Sequence, residues 1–467
     1  MKRLYLSFFC TILTINGFAY KVKFNITNTM NDTMIVGEYL GSYKNMHILD
    51  TIILKKGIGE FKNDTLKSGL YFLYNDKNKY DILLSSAEKS LKVSYMAPEF
   101  LPTVKIEGSI LASNFIEYMK FITDKKELAK KDSTQGEKIG KEVSEYISKA
   151  VTANQNNIFG KFINFNTPVT VPEGTQEFRF KYFKQHFFDN ANIFDVELLH
   201  TPLVEEKLNE FYTYQIGTPR EICHEIDYLL TKSQLNKEIF RFVLVNTFQH
   251  YLKSNQVIAE NIWVHIGQKW YIPFATWSDL AYMERLKHEV KYRLPNRIGE
   301  KAPNFSATIL SEKDFLQAQA DSVKRRDVYQ GKESNLSTIM GNDYTLLIFF
   351  EADCSHCKEV MPLFYNVFNK YAPQGLKGII VHNNNTPEGK IEWCDYINKN
   401  KMYDWINCWS PYSNDYKSRY NIVTTPTVYL LNKGVIELKN IDSKTLDDYL
   451  KNKYAKAKKD NELQRMV

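Results

Sequence analysis

An apolar run that leads directly into two closely spaced cysteines is the feature that most constrains this chain of 467 residues. Residues 345–350 read Thr-Leu-Leu-Ile-Phe-Phe, which predicts a buried strand, and Cys354 and Cys357 follow as a C-x-x-C motif that opens a predicted helix. Cys354 is therefore expected at a helix N-terminus, where unpaired amides and the helix dipole stabilise a thiolate. Cys357, one turn further along, is placed to resolve a mixed disulfide.

The residues around the motif favour reversible thiol chemistry over other kinds of site. Asp353 is a suitable N-cap residue, and His356 between the cysteines is expected to lower the pKa of Cys354 and raise the reduction potential. A c-type haem site needs His after the second cysteine, where this chain has Lys358. A zinc site needs a second cysteine pair, and a purely structural disulfide over so short a loop would be strained and reducible. We predict neither a metal nor a cofactor.

Further motifs accompany the cysteine pair. They are Ile-Gly-Glu-Lys-Ala-Pro-Asn-Phe at residues 298–305, Pro362 in the predicted helix, and Thr-Thr-Pro-Thr-Val-Tyr-Leu at residues 424–430, followed by Asn-Lys-Gly. Together with the cysteine motif they resemble the TlpA/ResA branch of the thioredoxin superfamily over about residues 296–455. The resemblance implies a C-terminal α/β thioredoxin fold, a cis peptide bond before Pro426 that faces the cysteines, and main-chain contacts between Thr425 and a substrate.

Several positions depart from the pattern of that superfamily. Asp353 stands where many thioredoxins have Trp, and its negative charge opposes thiolate formation. Ile348 stands where thioredoxins keep a buried Asp, and Val360 where this branch usually has Glu, with Glu359 one residue out of place. Stabilisation of the thiolate therefore falls to His356 and the helix dipole. The sequence leaves open whether the protein acts as a reductant, an isomerase or an oxidase.

The N-terminus predicts export. Lys2 and Arg3 precede an apolar run over residues 4–18, and Gly17 and Ala19 are small residues suited to a signal-peptide cleavage site after Ala19. A short uncleaved membrane anchor is the alternative, although the run falls short of the roughly 20 residues that span a bilayer. The mature protein is expected in the periplasm or cell envelope, where the compartment is oxidising.

The chain upstream of the thioredoxin-like region shows two kinds of periodicity. Residues 20–108 have period-2 runs broken by turn residues, which predicts an antiparallel, β-sandwich-like domain. Residues 109–293 have successive segments of helical periodicity and predict an α-helical domain, and the thioredoxin-like domain takes residues 294–467. The two upstream regions resemble domains of unknown function that often precede such modules in Gram-negative envelope proteins. Neither region has visible catalytic residues.

Two groups of residues have open interpretations. Trp263, Trp270 and Trp277 are seven apart and predict a helical packing stripe, with a carbohydrate platform as the less favoured alternative. Cys394 and Cys408 form either a structural disulfide or two separate buried thiols, because spacing alone does not set the separation of their Cα atoms.

Residues and resemblance together predict an exported protein thiol–disulfide oxidoreductase. Cys354 attacks a substrate disulfide, Cys357 resolves the mixed disulfide, His356 tunes the thiolate, and Thr425 and Pro426 seat the substrate chain. The expected partners are thiols and disulfides of envelope proteins and an upstream membrane or periplasmic electron donor.

Other function classes are less well supported. Lys and Arg total 61 against 54 Asp and Glu, and this excess is spread along the chain, so we expect no nucleic-acid binding. A thiol peroxidase usually has Thr or Ser three residues before its reactive cysteine, where this chain has Glu351. The remaining alternative is a non-enzymatic binding or adaptor protein in which the redox pair is vestigial.

Overall fold

The computed structural model describes residues 20–320, 331–410 and 414–465, with side chains described up to residue 456. The chain divides into two compact units. One consists of Met1–Thr218 with His224–Thr247, and the other of Pro219–Cys223 with Phe248–Val467. The predicted signal sequence at residues 1–19 lies outside the described residues, and the predicted domain boundaries stay predictions.

The first unit begins with eight strands in two four-stranded sheets, in the orders β4-β1-β7-β8 and β3-β2-β5-β6. The strands are β1 (Tyr20–Thr27), β2 (Thr33–Tyr39), β3 (Met46–Ile53), β4 (Ile58–Asn63), β5 (Gly69–Asn75), β6 (Asn78–Leu84), β7 (Ser90–Met96) and β8 (Lys105–Glu107). Every second residue of β1 is buried, as the period-2 pattern predicts. The β-rich N-terminal region is confirmed.

One strand pair corrects the antiparallel prediction. β1 and β7 pair in parallel, with Val22 opposite Leu91. A parallel pair needs a long connection, and here the strands β2 to β6 between them provide it. Periodicity reports which face of a strand is buried and carries no information about strand direction.

The helical middle region is also confirmed. Its helices are Ile110–Lys131, Gly136–Ala153, Ile158–Asn164, Gln176–His186, Val196–Leu199, Leu203–Thr213, Pro219–Ser233, Lys237–Leu252, Ala259–Ile266, Ile272–Phe274 and Leu280–Arg293, with a π-helical turn at Gly267–Tyr271. A further short helix, Phe100–Thr103, lies between β7 and β8 in the β-rich region. Trp263 and Trp270 are buried, whereas Trp277 lies in the turn before Leu280–Arg293 and is only partly buried, so the predicted helical packing stripe holds for two of its three residues. Across the described residues, no helix combines the length and the apolar character that a membrane span requires.

The second unit contains a seven-stranded mixed sheet in the order β10-β9-β13-β12-β11-β14-β15. Its strands are β9 (Ser306–Leu310), β10 (Lys332–Asn335), β11 (Tyr344–Phe350), β12 (Lys377–His382), β13 (Ile406–Trp409), β14 (Thr427–Asn432) and β15 (Val435–Lys439). Its helices are Glu312–Ala320, Leu336–Ile339, Ser355–Tyr371, Pro387–Asn400, Asp415–Arg419 and Ser443–Arg465. Strand β11 is central, parallel to β12 and antiparallel to β14.

Side chains of β11 alternate between two apolar clusters, one on each face of this sheet. Ile348 belongs to the first cluster with Cys394, and Phe349 belongs to the second with Cys408. The two cysteines therefore lie on opposite faces of the sheet, and no disulfide joins them. The sequence left open whether these cysteines form a disulfide or are two separate buried thiols, and the second interpretation is correct. Complete burial raises the pKa of Cys408 to about 12, so this thiol stays protonated.

Within the second unit, buried polar contacts join the helical segment to the sheet. Lys439 on β15 donates hydrogen bonds to Glu260 and, at 2.8 Å, to Asn296 Oδ1. Asn261 Nδ2 donates to the carbonyl of Ile298 at 2.6 Å. Side-chain hydrogen bonds therefore join the helix Ala259–Ile266 to the chain that leads into the sheet and to the sheet itself.

Candidate active site

The C-x-x-C motif lies where β11 ends and the next helix begins. Cys354 is itself the N-cap residue of the helix Ser355–Tyr371, with extended backbone angles of φ −70° and ψ 122°. The amide of Lys358 donates to the Cys354 carbonyl at 3.1 Å and closes the first helical turn. The prediction that Asp353 caps the helix is wrong by one residue. Its carboxylate instead accepts a hydrogen bond from Asn384 Nδ2 at 3.0 Å.

The Cys354 sulfur is partly exposed and surrounded by hydrogen-bond partners. Its Sγ lies 3.6 Å from the main-chain carbonyl oxygen of Thr425 and donates to it. Burial raises the pKa of Cys354, but hydrogen bonds from the Cys357 amide, the side chains of Thr425 and Cys357, and the His356 amide outweigh burial, and the net pKa is below the usual cysteine value. Cys354 is thus the more acidic and the more accessible thiol of the pair.

Cys357 has the opposite environment. Its side chain is 1% exposed and belongs to the apolar cluster on the first face of the sheet. Burial raises its pKa to about 12, and the neighbouring Cys354 sulfur adds to this rise. The two thiols therefore differ in both accessibility and acidity. This asymmetry suits an accessible attacking thiol and a protected resolving thiol.

The loop after the short helix Asp415–Arg419 brings Thr425 into contact with the Cys354 sulfur. The peptide bond between Thr425 and Pro426 is cis, as the resemblance implies. Thr427 Oγ1 donates to the Thr424 carbonyl at 2.6 Å, which holds the loop at the start of β14. Val423 in the same loop is 81% exposed.

The His356 side chain is exposed. Its contribution to lowering the pKa of Cys354 comes from its main-chain amide, a group that any residue except proline would supply. The predicted role of the imidazole therefore stays a prediction. Separating the imidazole from the amide requires two different substitutions at this position.

Sequence reasoning missed the last residue of β12 and the residues directly after it. His382 is fully buried, and its ring stacks on Trp393 with centroids 4.9 Å apart and an interplanar angle of 7°. Burial lowers its pKa to about 4, so it is neutral at physiological pH. The Asn383 amide donates to the Phe350 carbonyl at 3.0 Å, and the Tyr416 hydroxyl donates to Asn383 Oδ1 at 3.0 Å.

A sequence signal for these residues was present. The run His-Asn-Asn-Asn at residues 382–385 directly follows an apolar strand, as the cysteine motif does. Carboxyl ends of neighbouring parallel strands meet at one edge of a sheet, and β11 and β12 are such neighbours. Among the residues described here, no cluster of His, Cys, Asp and Glu forms a metal site.

Comparison with known families supports the fold. A family profile described as Thioredoxin-like matches residues 341–436, and a profile described as Domain of unknown function (DUF5106) matches residues 125–294. A Thioredoxin-like protein of Haemophilus influenzae is 29% identical over 109 residues, which is 23% of this chain and 60% of that relative. Sporulation thiol-disulfide oxidoreductase A of Bacillus subtilis is 29% identical over 121 residues, which is 24% of this chain and 72% of that relative.

Solved structures show more distant similarity. A thioredoxin-like protein from Bacteroides caccae matches with a TM-score of 0.39 and 18% identity, covering 60% of this chain and 97% of that one. A thiol:disulfide interchange protein from Bacteroides sp. matches with a TM-score of 0.26 and 21% identity, covering 34% of this chain and 90% of that one. The chain thus spans only part of the first curated relative, and the matched sequence relatives align with about a quarter of this chain.

Proposed function

We propose, from the premise that residues 341–436 are a thioredoxin-like domain, that this protein exchanges disulfides with other proteins through Cys354 and Cys357. The observation that carries the proposal is the asymmetry of the two thiols. Cys354 is accessible and has a lowered pKa, whereas Cys357 is buried and its pKa is raised to about 12. Thiol–disulfide exchange proceeds by thiolate attack, and an accessible thiolate beside a protected thiol fits its two steps.

The reaction has two balanced steps. In the first, the Cys354 thiolate attacks one sulfur of a substrate disulfide, and the other substrate sulfur leaves as a thiolate that takes a proton. In the second, the Cys357 sulfur attacks the Cys354 sulfur of the mixed disulfide, and the second substrate sulfur leaves. The enzyme dithiol loses two electrons and becomes a disulfide, and the substrate disulfide gains them. An electron donor must then reduce Cys354 and Cys357 again.

Thr425 and Pro426 are the proposed seat of the substrate chain. The Thr425 carbonyl already accepts from Cys354 Sγ at 3.6 Å, so a substrate bound along this loop lies beside the attacking sulfur. Val423 in the same loop is also exposed. Main-chain recognition fits a protein that acts on many polypeptides, since backbone hydrogen bonds do not depend on side-chain identity.

We place the reaction in the cell envelope, with an upstream membrane or periplasmic electron donor. The support for this location is the signal-like sequence at residues 1–19, with its basic start, apolar run and small residues before the expected cleavage site. Proteins in that compartment carry disulfides that an exchange enzyme acts on.

Insulin reduction with dithiothreitol as the electron donor tests the proposed activity. We expect the wild-type protein to accelerate insulin precipitation and Cys354→Ala to fall to the uncatalysed rate, because the attacking sulfur is absent. Cys408→Ala is the matched control, since Cys408 is a buried thiol on the opposite face of the sheet. A wild-type protein that leaves the insulin rate unchanged would contradict the proposal. If the protein then consumed peroxide under the same conditions, the peroxidase alternative would be favoured. If it were inactive in both assays, the non-enzymatic adaptor alternative would be favoured.

A further inference from the structure

The residue directly before the attacking cysteine carries a negative charge that takes no part in the two exchange steps. Asp353 lies in a tight turn after β11, which is closed by the Cys354 amide donating to the Glu351 carbonyl at 3.3 Å. The Asp353 side chain is exposed, and its Oδ2 accepts a hydrogen bond from Asn384 Nδ2 at 3.0 Å. This contact joins the turn before the attacking cysteine to the loop after β12.

The Asn384 side chain is held in one orientation. Its Oδ1 accepts hydrogen bonds from the Thr386 amide at 3.2 Å and from the Thr386 hydroxyl at 2.8 Å. Thr386 is the N-cap residue of the helix Pro387–Asn400, and its hydroxyl oxygen accepts from the Gly389 amide at 3.1 Å. A flipped Asn384 amide would lose both hydrogen bonds from Thr386 and place Oδ1 against the Asp353 carboxylate, so Nδ2 must face Asp353.

The loop that carries Asn384 is also fixed to the sheet. The Asn383 amide donates to the Phe350 carbonyl at the end of β11 at 3.0 Å, and Lys417 Nζ donates to the Asn383 carbonyl at 2.9 Å. Gly389 lies directly against the Asn384 side chain, where a Cβ would be 2.3 Å from Asn384 Cγ. The position of the Asn384 amide therefore depends on the absence of a Cβ at residue 389.

A released Asp353 carboxylate would compete with the Cys354 thiolate. The amides of His356 and Cys357 lower the pKa of Cys354, which is the N-cap residue of its helix. Asp is a favoured N-cap residue because its carboxylate accepts from first-turn amides that have no partner within the helix. Asp353 is one residue from the N-cap position, so its free carboxylate would compete for these amides and add a second negative charge beside the thiolate.

We propose that Asn384 is a positioning residue that holds the Asp353 carboxylate away from the helix N-terminus, so that the first-turn amides stay available to the Cys354 sulfur. This inference rests on the proposed function. Asn384 acts through Asp353, and it forms and breaks no bond in either exchange step.

Other charged groups around Asp353 do not fill this role. The Glu351 carboxylate acts on Tyr416, which belongs to the cluster on the other face of the sheet. Burial lowers the pKa of His382 to about 4 although the Asp353 carboxylate acts against this, so the ring is neutral at physiological pH. Within the part of the chain that the structure describes, Asn384 supplies the side-chain hydrogen bond to Asp353.

Two substitutions test the inference independently. Asn384→Ala removes the donor, and Gly389→Ala displaces the Asn384 side chain without changing its chemistry. Asn400→Ala is the matched control, since Asn400 Nδ2 donates to the Tyr396 carbonyl at 2.8 Å at the other end of the helix Pro387–Asn400. Each variant is also made together with Asp353→Ala. Thiolate absorbance of the reduced proteins is titrated, with Cys354→Ala as the background from the other thiols.

We expect the midpoint of Cys354 thiolate formation to rise by about half a pH unit in Asn384→Ala and in Gly389→Ala, which is about threefold less thiolate below the midpoint. Together with Asp353→Ala, neither substitution should move the midpoint, because the carboxylate that it would release is absent. High salt should reduce the difference, since interactions between exposed charges are screened. Asn400→Ala should match the wild type.

Two results would overturn the inference. One is an unchanged midpoint in Gly389→Ala, which decides alone if Asn384→Ala does not fold. The other is an equal rise with and without the Asp353 carboxylate, because Asn384 would then act on the loop structure and not through Asp353. The titration needs no substrate, so it reports on Asn384 whether or not the protein reduces insulin, and failure of the proposed function is recognised separately.

Discussion

A Cys357→Ala variant is expected to accumulate mixed disulfides with envelope proteins, in amounts far above the wild type. Cys354 remains accessible, and the amides of residues 357 and 356 and the Thr425 side chain, which lower its pKa in the wild type, are all retained. The first attack therefore proceeds, but the sulfur that would release the substrate is absent. Non-reducing gels of acid-quenched cells should show high-mass species that reductant removes.

The control for this experiment is Cys354→Ala, which keeps only the buried thiol. Cys357 is 1% exposed and its pKa is raised to about 12, so it should trap almost nothing. Equal trapping by both variants would mean that the roles assigned to the two cysteines are wrong. Identification of the trapped proteins would name the substrates.

A His356→Pro variant is expected to have a reduction potential lower by tens of millivolts. Stabilising the Cys354 thiolate stabilises the reduced form, and about 30 mV corresponds to about 1.4 kcal/mol for a two-electron couple. The substitution removes two contributions together, the imidazole and the amide that lowers the pKa of Cys354. Proline is tolerated in the first turn of a helix, so the fold should persist. Equilibration with glutathione buffers measures the potential.

His356→Ala separates these two contributions because it removes only the imidazole. We expect a shift in the same direction but smaller than that of the proline variant. Asp353→Ala should shift the potential the opposite way, since it removes a negative charge near the thiolate. A potential in His356→Pro equal to that of the wild type would refute tuning by residue 356.

The sequence was sufficient to predict the part of the site that is built from residues close together in the chain. A strand, two cysteines and a helix follow one another within residues 344–371, and their order alone places Cys354 at the helix start. The error over Asp353 is an error of one position, because cap residues on either side of a helix start look alike in sequence. The cis bond at Pro426 came from resemblance and not from periodicity.

The sequence was insufficient where a contact joins distant segments. Strands β9, β10 and β13 have only four or five residues, too few to establish a period, and they form because the neighbouring strand is present. Cys394 and Cys408 could not be assigned to opposite faces before the register of the sheet was known.

The central claim is that Cys354 carries the thiolate while Cys357 stays protonated, and titration of thiolate absorbance tests it most directly. The reduced protein is titrated beside Cys354→Ala and Cys357→Ala, with the partly exposed Cys223 and the buried Cys394 and Cys408 present in all three as a shared background. We predict a thiolate that forms below the usual cysteine pKa and disappears in Cys354→Ala, while the Cys357 thiol titrates only near pH 12. A low-pH thiolate that survives in Cys354→Ala and is lost in Cys357→Ala would contradict the claim.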